Sequence, residues 1–329
     1  MMLRVMVIDS NEQVQKALTD ILESKAGLEV VCRLNSCEGA IEMVEWISPD
    51  VVLAGHISLE KDKSGFFNVL LKKRIPLIVT TAKAVNQLNQ AFTYLEKGAV
   101  DFLILPSSIG ECIKKVKAAA IARPINLSER LKPLKLNFKS GGGLRKVVVI
   151  ASSTGGPQAL RAVIPNLPKS LPAAFIVVQH MGEGFTALLA KRLDKTSALT
   201  VKEAVDGDIL KEGWVYVAPS GRHLAVENSK IVLVEGPPIN GVIPSADYTM
   251  AAVAREYGDE AVAVVLTGMG RDGAKGSVDI KSAGGRVIVQ DKDSSVIFGM
   301  PQAALKTGQV DKVVELSSVA STLAKEVYA

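Results

Sequence analysis

Short runs of apolar, largely β-branched residues recur along this chain, and helix-patterned stretches separate them. In the first third the runs fall at residues 4–8, 28–31, 51–54, 77–81 and 101–105, with an amphipathic stretch at 12–24 after the first. Further on they fall at 146–151, 173–178 and 261–266, and a Pro-started helical pattern at 157–164 follows the first of these. Continuous apolar runs bounded by turn residues fit strands buried on both faces, and strand–helix alternation predicts parallel sheets covered by helices. The expected fold class is therefore α/β, with doubly wound parallel sheets. At 329 residues the chain is long enough for about two such domains.

Composition supplies the boundaries. Residues 114–146 hold ten Lys/Arg against Glu129 alone, and the stretch also carries Pro124, Pro133 and a glycine run at 141–143. We therefore expect one domain over 1–122, a basic, Gly-rich linker over 123–145, and a second domain over 146–329. The tract has no aromatic residue beyond Phe138 and no readout motif, so it reads as a solvated connector rather than a nucleic-acid surface.

Several function classes drop out. The three histidines, His56, His180 and His223, show no metal-ligand spacing, and Cys32, Cys37 and Cys112 form no CxxC pair. No zinc site is expected, and the thiols read as reduced, as in a cytoplasmic protein. The apolar runs fall well short of the roughly 20 residues that span a bilayer, and Asp9 arrives too early for a signal peptide.

The second domain carries the clearest chemistry. Its first run stops at Ser152-Ser153-Thr154-Gly155-Gly156-Pro157, its second at Gln179-His180-Met181, and its third at Thr267-Gly268-Met269-Gly270-Arg271-Asp272-Gly273. Residues just past the carboxyl ends of parallel strands gather along one crevice, so a serine, a histidine and an aspartate distant in sequence are expected to meet. A neutral serine needs a base, and a carboxylate fixes the tautomer of an imidazole that serves as one. We expect Ser153 as nucleophile, His180 as general base and then acid, and Asp272 as the orienting carboxylate, with backbone N–H groups near Thr154 and Met269 as oxyanion donors. Gly155 and Gly156 are expected to leave room for the substrate carbonyl. Ser152 and Asp247 are rivals, and His223, after a turn, is expected in a loop or beside the substrate. The first run also mimics a nucleotide-binding loop, but the GxGxxG fingerprint is missing.

Two resemblances cover nearly the whole chain. Asp9 after the first run, Pro49-Asp50-Val51-Val52-Leu53, Ile78-Val79-Thr80-Thr81-Ala82, and Lys97-Gly98-Ala99 leading to Leu105-Pro106 resemble the receiver domain of response regulators. That resemblance implies a flavodoxin-type fold, a carboxylate cluster for Mg²⁺, a phosphoryl-accepting aspartate and a lysine. Here the acceptor position aligns with Gly55 and the lysine position with Leu105, so Asp9 and the hydroxyl of Thr81 are what remains. Neither Asp50, at the far end of its strand, nor His56, Glu60 or Asp62 is expected to replace the acceptor. A pseudo-receiver that takes no phosphate is the expectation.

In the second domain, Ala151–Pro157, Val178–Met181 with Gly184-Phe185-Thr186, Tyr216–Pro219, Gly236–Pro238, Pro244-Ser245 with Asp247, Leu266–Gly270 with Asp272-Gly273, and Phe298–Pro301 resemble the chemotaxis protein-glutamate methylesterase (CheB) family. The likeness implies a Rossmann-like domain that hydrolyses glutamyl methyl esters on the cytoplasmic part of methyl-accepting chemoreceptors, deamidates selected glutamines, and needs no cofactor. It also implies a chemotaxis kinase as a further partner. The chain departs from the family at Val242-Ile243, where a basic residue is common. A scaffold with a dormant esterase and a partner-binding pseudo-receiver is the alternative reading.

Overall fold

The computed structural model describes residues 2–124 and 143–328, and the chain divides into two compact units, Met1–Glu129 and Arg130–Ala329. Most of the tract expected as a linker, 123–145, lies outside the described residues.

The first unit contains β1 (Leu3–Ile8), β2 (Leu28–Leu34), β3 (Val51–Gly55), β4 (Leu77–Ala82) and β5 (Asp101–Leu105). They form one parallel sheet in the order β2-β1-β3-β4-β5, the flavodoxin-type winding. Every residue of β3 is buried, as expected of a central strand covered on both faces. Helix Glu12–Glu23 starts where the Asn11 side chain accepts the Gln13 N–H, and it buries Leu18 and Leu22. Pairing of Ile8 with Ala54 sets Asp9 beside Gly55 at the carboxyl edge.

The second unit is built on β6 (Lys146–Ser152), β7 (Ala173–Gln179), β8 (Thr200–Glu203), β9 (Trp214–Val217), β10 (His223–Glu227), β11 (Lys230–Val234), β12 (Ala261–Val265), β13 (Arg286–Gln290) and β14 (Lys312–Val314). Seven of these form a parallel sheet ordered β14-β13-β12-β6-β7-β9-β8, while β10 and β11 make an antiparallel hairpin. From β6 the chain winds outward through β7, then returns to β12 on the other side of β6. That reversal opens a crevice at the carboxyl ends of β6 and β12.

Register fixes what enters the crevice. Ala151 pairs with both Val265 and Val178, and Ser152 pairs with Gln179, so all three strands end at the same level. The strands β6 and β7 run one residue beyond their apolar runs because Ser152 and Gln179 continue the ladder. The helix Gly156–Val163, with Pro157 in its first turn, and the helix Ala246–Tyr257 start at this edge. Leu224 and Val226 of the hairpin share one buried core with Met250 and Val253 of the second helix. Among the described residues no helix is long and apolar enough to cross a membrane.

Candidate active site

The two serines at the end of β6 have different fates. Ser152 is fully buried and its hydroxyl donates to Gln179 Oε1 at 2.6 Å, whereas Ser153, one residue on, is half-buried at the crevice. Alternation along the strand thus spends Ser152 on the scaffold. The Gln179 amide donates onward to the carbonyls of Ser153 (2.9 Å) and His180 (3.0 Å), and the His180 N–H donates to Ser152 O at 3.0 Å. One buried glutamine therefore ties the serine turn to the histidine turn.

His180 Nε2 lies 2.7 Å from Asp272 Oδ2, and both side chains are largely buried. Among the described residues His180 Nδ1 is buried with no hydrogen-bond partner. With the proton on Nε2 and directed at the carboxylate, Nδ1 carries the lone pair of a base. The loop after β12 closes against the serine. A Cβ placed on Gly268 would stand 2.8 Å from Ser153 Cβ, and the Ser153 N–H donates to Thr267 O. Met269 follows at this contact, while Thr267 Oγ1 donates to the carbonyl of Thr154 at 3.0 Å. The turns carrying the expected oxyanion donors, Thr154 and Met269, are thus packed together.

Asp272 is held by more than the imidazole. Its Oδ1 accepts the Ser245 hydroxyl (2.7 Å) and the Asp247 N–H (3.1 Å), and its Oδ2 also accepts the Ala246 N–H (2.7 Å). The carboxylate therefore sits on the amino end of helix Ala246–Tyr257. Burial alone raises its pKa, but the bonds and charge from His180, with Ser245 and Ala246, outweigh burial and hold it below its ordinary value.

Comparison with known proteins fixes the lineage. The family model for the CheB methylesterase matches residues 148–323. Protein-glutamate methylesterase/protein-glutamine glutaminase of Pyrococcus horikoshii is 40% identical over 99% of this chain and 94% of its own length. The enzyme so named in Thermotoga maritima is 38% identical over 95% of each chain. The chain belongs to the CheB methylesterase family. The crystal structure of the Thermotoga maritima CheB methylesterase catalytic domain is 47% identical, with a TM-score of 0.54, and covers 56% of this chain and 99% of its own.

This CheB-family site separates the two rival carboxylates and corrects two sequence expectations. The rival carboxylate Asp247 is bonded elsewhere. Its Oδ1 accepts the N–H groups of Gly273 and Gly276, both at 2.8 Å, capping helix Ala274–Ser282, and Oδ2 accepts Asn240 Nδ2. Burial, against those bonds, raises its pKa, so the two neighbouring aspartates are pushed in opposite directions. His223 is not a loop residue. It opens β10 with 2% exposure, and its Nδ1 accepts the Ser245 N–H. Nor do the glycines open space for a carbonyl. A Cβ on Gly156 would meet Gln179 Oε1 at 1.9 Å, and one on Gly155, which has φ +79°, would meet Val296 at 2.6 Å. Protein atoms already fill both places.

Sequence reasoning also passed over Gln179 and Ser245. Gln179 immediately precedes the histidine at a strand end, and Ser245 stands at the N-cap of a helix, which are the two signals that point to them.

In the first unit, Asp9, Gly55, Thr81 and Leu105 line one cavity of about 180 Å³ with His56. A Cβ on Gly55 would lie 2.5 Å from Asp9 Oδ2, so the Asp9 carboxylate occupies the space that a side chain at position 55 would need. Asp9 is the one carboxylate among the lining residues, a donor set that does not fit the Mg²⁺ cluster of the receiver family. His56 is buried, with Nδ1 3.4 Å from Thr80 O, and Asp50 accepts the Arg4 N–H at the opposite end of β3. Burial pushes the Cys37 thiol up to about 12 and the Cys112 thiol to about 11, so neither serves as a nucleophile.

Proposed function

We propose that this chain hydrolyses glutamyl methyl esters, and the corresponding glutamine amides, on the cytoplasmic part of chemoreceptors, with Ser153, His180 and Asp272 as the catalytic set. The observation that carries the reading is the placement of His180. Its Nε2 is committed to Asp272, its backbone to the serine turn, and its Nδ1 is left without a partner.

In the proposed mechanism Ser153 Oγ attacks the ester carbonyl while His180 Nδ1 takes its proton. The C=O π pair becomes an oxyanion, which the N–H groups of Thr154 and Met269 stabilise; such donors contribute about 3–4 kcal/mol each in other enzymes. Collapse breaks the C–OCH₃ bond, His180 returns the proton, and methanol leaves behind an acyl-serine. Water then attacks with His180 again as base, the serine is released, and the product is a glutamate carboxylate. An amide follows the same path with ammonia as leaving group. A chain acting on that part of a receptor works in the cytoplasm.

The first unit, on this reading, takes no phosphate. Its acceptor position has no side chain, Asp9 fills the vacated volume, and Leu105 offers no charge to balance a phosphoryl group. Control of the esterase then passes through a partner that docks on this unit, or the enzyme is always on. Incubation with acetyl phosphate and Mg²⁺ is expected to leave the first unit unlabelled.

Methanol release from a methylated receptor tests the esterase. Ser153→Ala is expected to lose activity by a factor on the order of 10⁴ or more, with unchanged melting behaviour. Turnover within tenfold of wild type would overturn the mechanism.

A further inference from the structure

The proposed catalytic carboxylate is held by a chain of contacts that reaches past the helix it caps. Ser245, whose hydroxyl donates to Asp272 Oδ1, is itself fully buried and donates its backbone N–H to His223 Nδ1 at 3.2 Å. The far nitrogen of that ring, Nε2, lies 3.1 Å from the carbonyl of Pro237. The ring of Tyr248 tilts against the imidazole with centroids 4.9 Å apart.

One imidazole form satisfies both contacts. The neutral tautomer with its proton on Nε2 donates to Pro237 and accepts from Ser245. The other tautomer would set N–H against N–H at Ser245 and a lone pair against the Pro237 carbonyl. His223 is thus a fixed acceptor, built into a strand, for the N–H of the residue that grips Asp272.

The grip is complete. A carboxylate offers about four lone-pair positions, and here Ser245 Oγ and Asp247 N take Oδ1 while Ala246 N and His180 Nε2 take Oδ2. With every position occupied, the plane of the carboxylate cannot turn, and its orientation decides where the His180 ring points. The ionisable groups set against Asp272 are His180 and Asp247, and Asp247 is committed to capping helix Ala274–Ser282.

We infer that His223 and Ser245 are positioning residues of the esterase: the strand-borne imidazole fixes Ser245, and Ser245 locks Asp272 in the plane that aims His180 at Ser153. This rests on the reading of Ser153, His180 and Asp272 as the catalytic set. Loss of the Ser245 hydroxyl removes one of four donors, so charge concentrates on the carboxylate and the imidazolium beside it is favoured.

The test uses the full chain and a methylated receptor cytoplasmic domain, with kcat and kcat/KM followed across pH. Ser245→Ala and His223→Phe, which keeps ring volume but has no acceptor, are expected to lower kcat about 10–100-fold with KM within twofold. In Ser245→Ala the acidic limb of kcat/KM moves to higher pH, which a loss of folded protein would not produce. His223→Asn, whose Oδ1 can take the place of Nδ1, recovers most of the rate. Unchanged kcat and an unmoved acidic limb in Ser245→Ala overturn the inference, as does His223→Asn performing no better than His223→Phe. Where a His223 variant fails to fold, the low-field proton resonance of the His180–Asp272 bond is compared in wild type and Ser245→Ala, and an unmoved resonance is equally fatal. Ser153→Ala, run alongside, separates the two ideas. Activity surviving in Ser153→Ala sinks the catalytic set, whereas an inactive Ser153→Ala beside a fully active Ser245→Ala sinks the positioning role alone.

Discussion

The two parallel sheets of this chain are alike in their cores and unlike at their carboxyl edges. At the edge of the seven-stranded sheet, β6, β7 and β12 deliver a hydroxyl, an imidazole and a carboxylate: the Gln179 amide ties the serine and histidine turns, and His180 Nε2 binds the Asp272 carboxylate, which Ser245 also holds. At the edge of the five-stranded sheet, β1, β3, β4 and β5 deliver Asp9, Gly55, Thr81 and Leu105, and Asp9 has folded into the volume where another side chain would stand. The strands beneath are equally buried in both: Val51–Gly55 is as completely enclosed as Ala261–Val265. Stability of a doubly wound sheet is carried by its strands and chemistry by the residue one step beyond them, so two sheets with alike cores can carry unlike edges.

The comparison breaks first at Asp272. If the second edge is a working site, Asp272→Asn removes the charge that orients His180, and methanol release should fall about 10³–10⁴-fold with the fold retained. A fall of less than tenfold would make the two edges equally idle. The pH dependence has a definite sign. Because the folded protein holds this carboxyl below its ordinary value, its charge contributes stability that is fully present above about 4 and is lost as pH falls through the lower, folded-state value. Urea unfolding of wild type and Asp272→Asn should therefore differ most near neutrality and converge under acid.

Both edges were legible in the sequence to different depths. Apolar runs ending abruptly at Ser152-Ser153, at Gln179-His180 and before Asp272 marked three strand ends, and the tendency of residues past the carboxyl ends of parallel strands to share one crevice set them side by side. Which serine faces the crevice depends on side-chain direction, and the bond from Ser152 to Gln179 decides it. Asp247 and Asp272 are a similar pair, each near a helix start, and what separates them is which helix each one caps. His223 was misplaced because Ser220-Gly221-Arg222 reads as a turn with no signal that a buried strand follows at once. The glycines were misread for the opposite reason: a pattern shows that a side chain is missing but not which atoms occupy its place.

Gly156 gives the next largest effect. Gly156→Ala drives a Cβ into Gln179 Oε1, and the amide must release Ser152 or the carbonyls of Ser153 and His180. We expect a loss of about 2–3 kcal/mol from overpacking and a broken buried network, read as a lower urea midpoint. A rate loss of tenfold or more should accompany it, since both turns move. Unchanged activity at reduced stability would separate the scaffold from the site.

At the other edge, Gly55→Asp puts a carboxylate where the proposed reading places the acceptor. Its Cβ meets the Asp9 carboxylate at 2.5 Å, so we expect a loss of about 1–3 kcal/mol and no phosphoryl label from acetyl phosphate and Mg²⁺. Label recovered on this variant would show that the edge needs one residue to be rebuilt. Absence of label, with a cooperative unfolding transition, would show that Asp9 and Leu105 have closed it.

Ser152→Ala gives the smallest effect and the sharpest distinction between neighbours. The hydroxyl is buried and bonded to Gln179, so its removal leaves Oε1 of a buried amide without its donor, a cost of about 1–2 kcal/mol. The amide still reaches the carbonyls of Ser153 and His180 through Nε2, so the turns keep their connection and kcat should fall less than tenfold. Ser153→Ala, by contrast, should be almost inert at nearly wild-type stability. If the two variants exchange these outcomes, the nucleophile is the buried serine and β6 must shift its end by one residue in solution, which reverses the direction of every side chain from Ser152 onward.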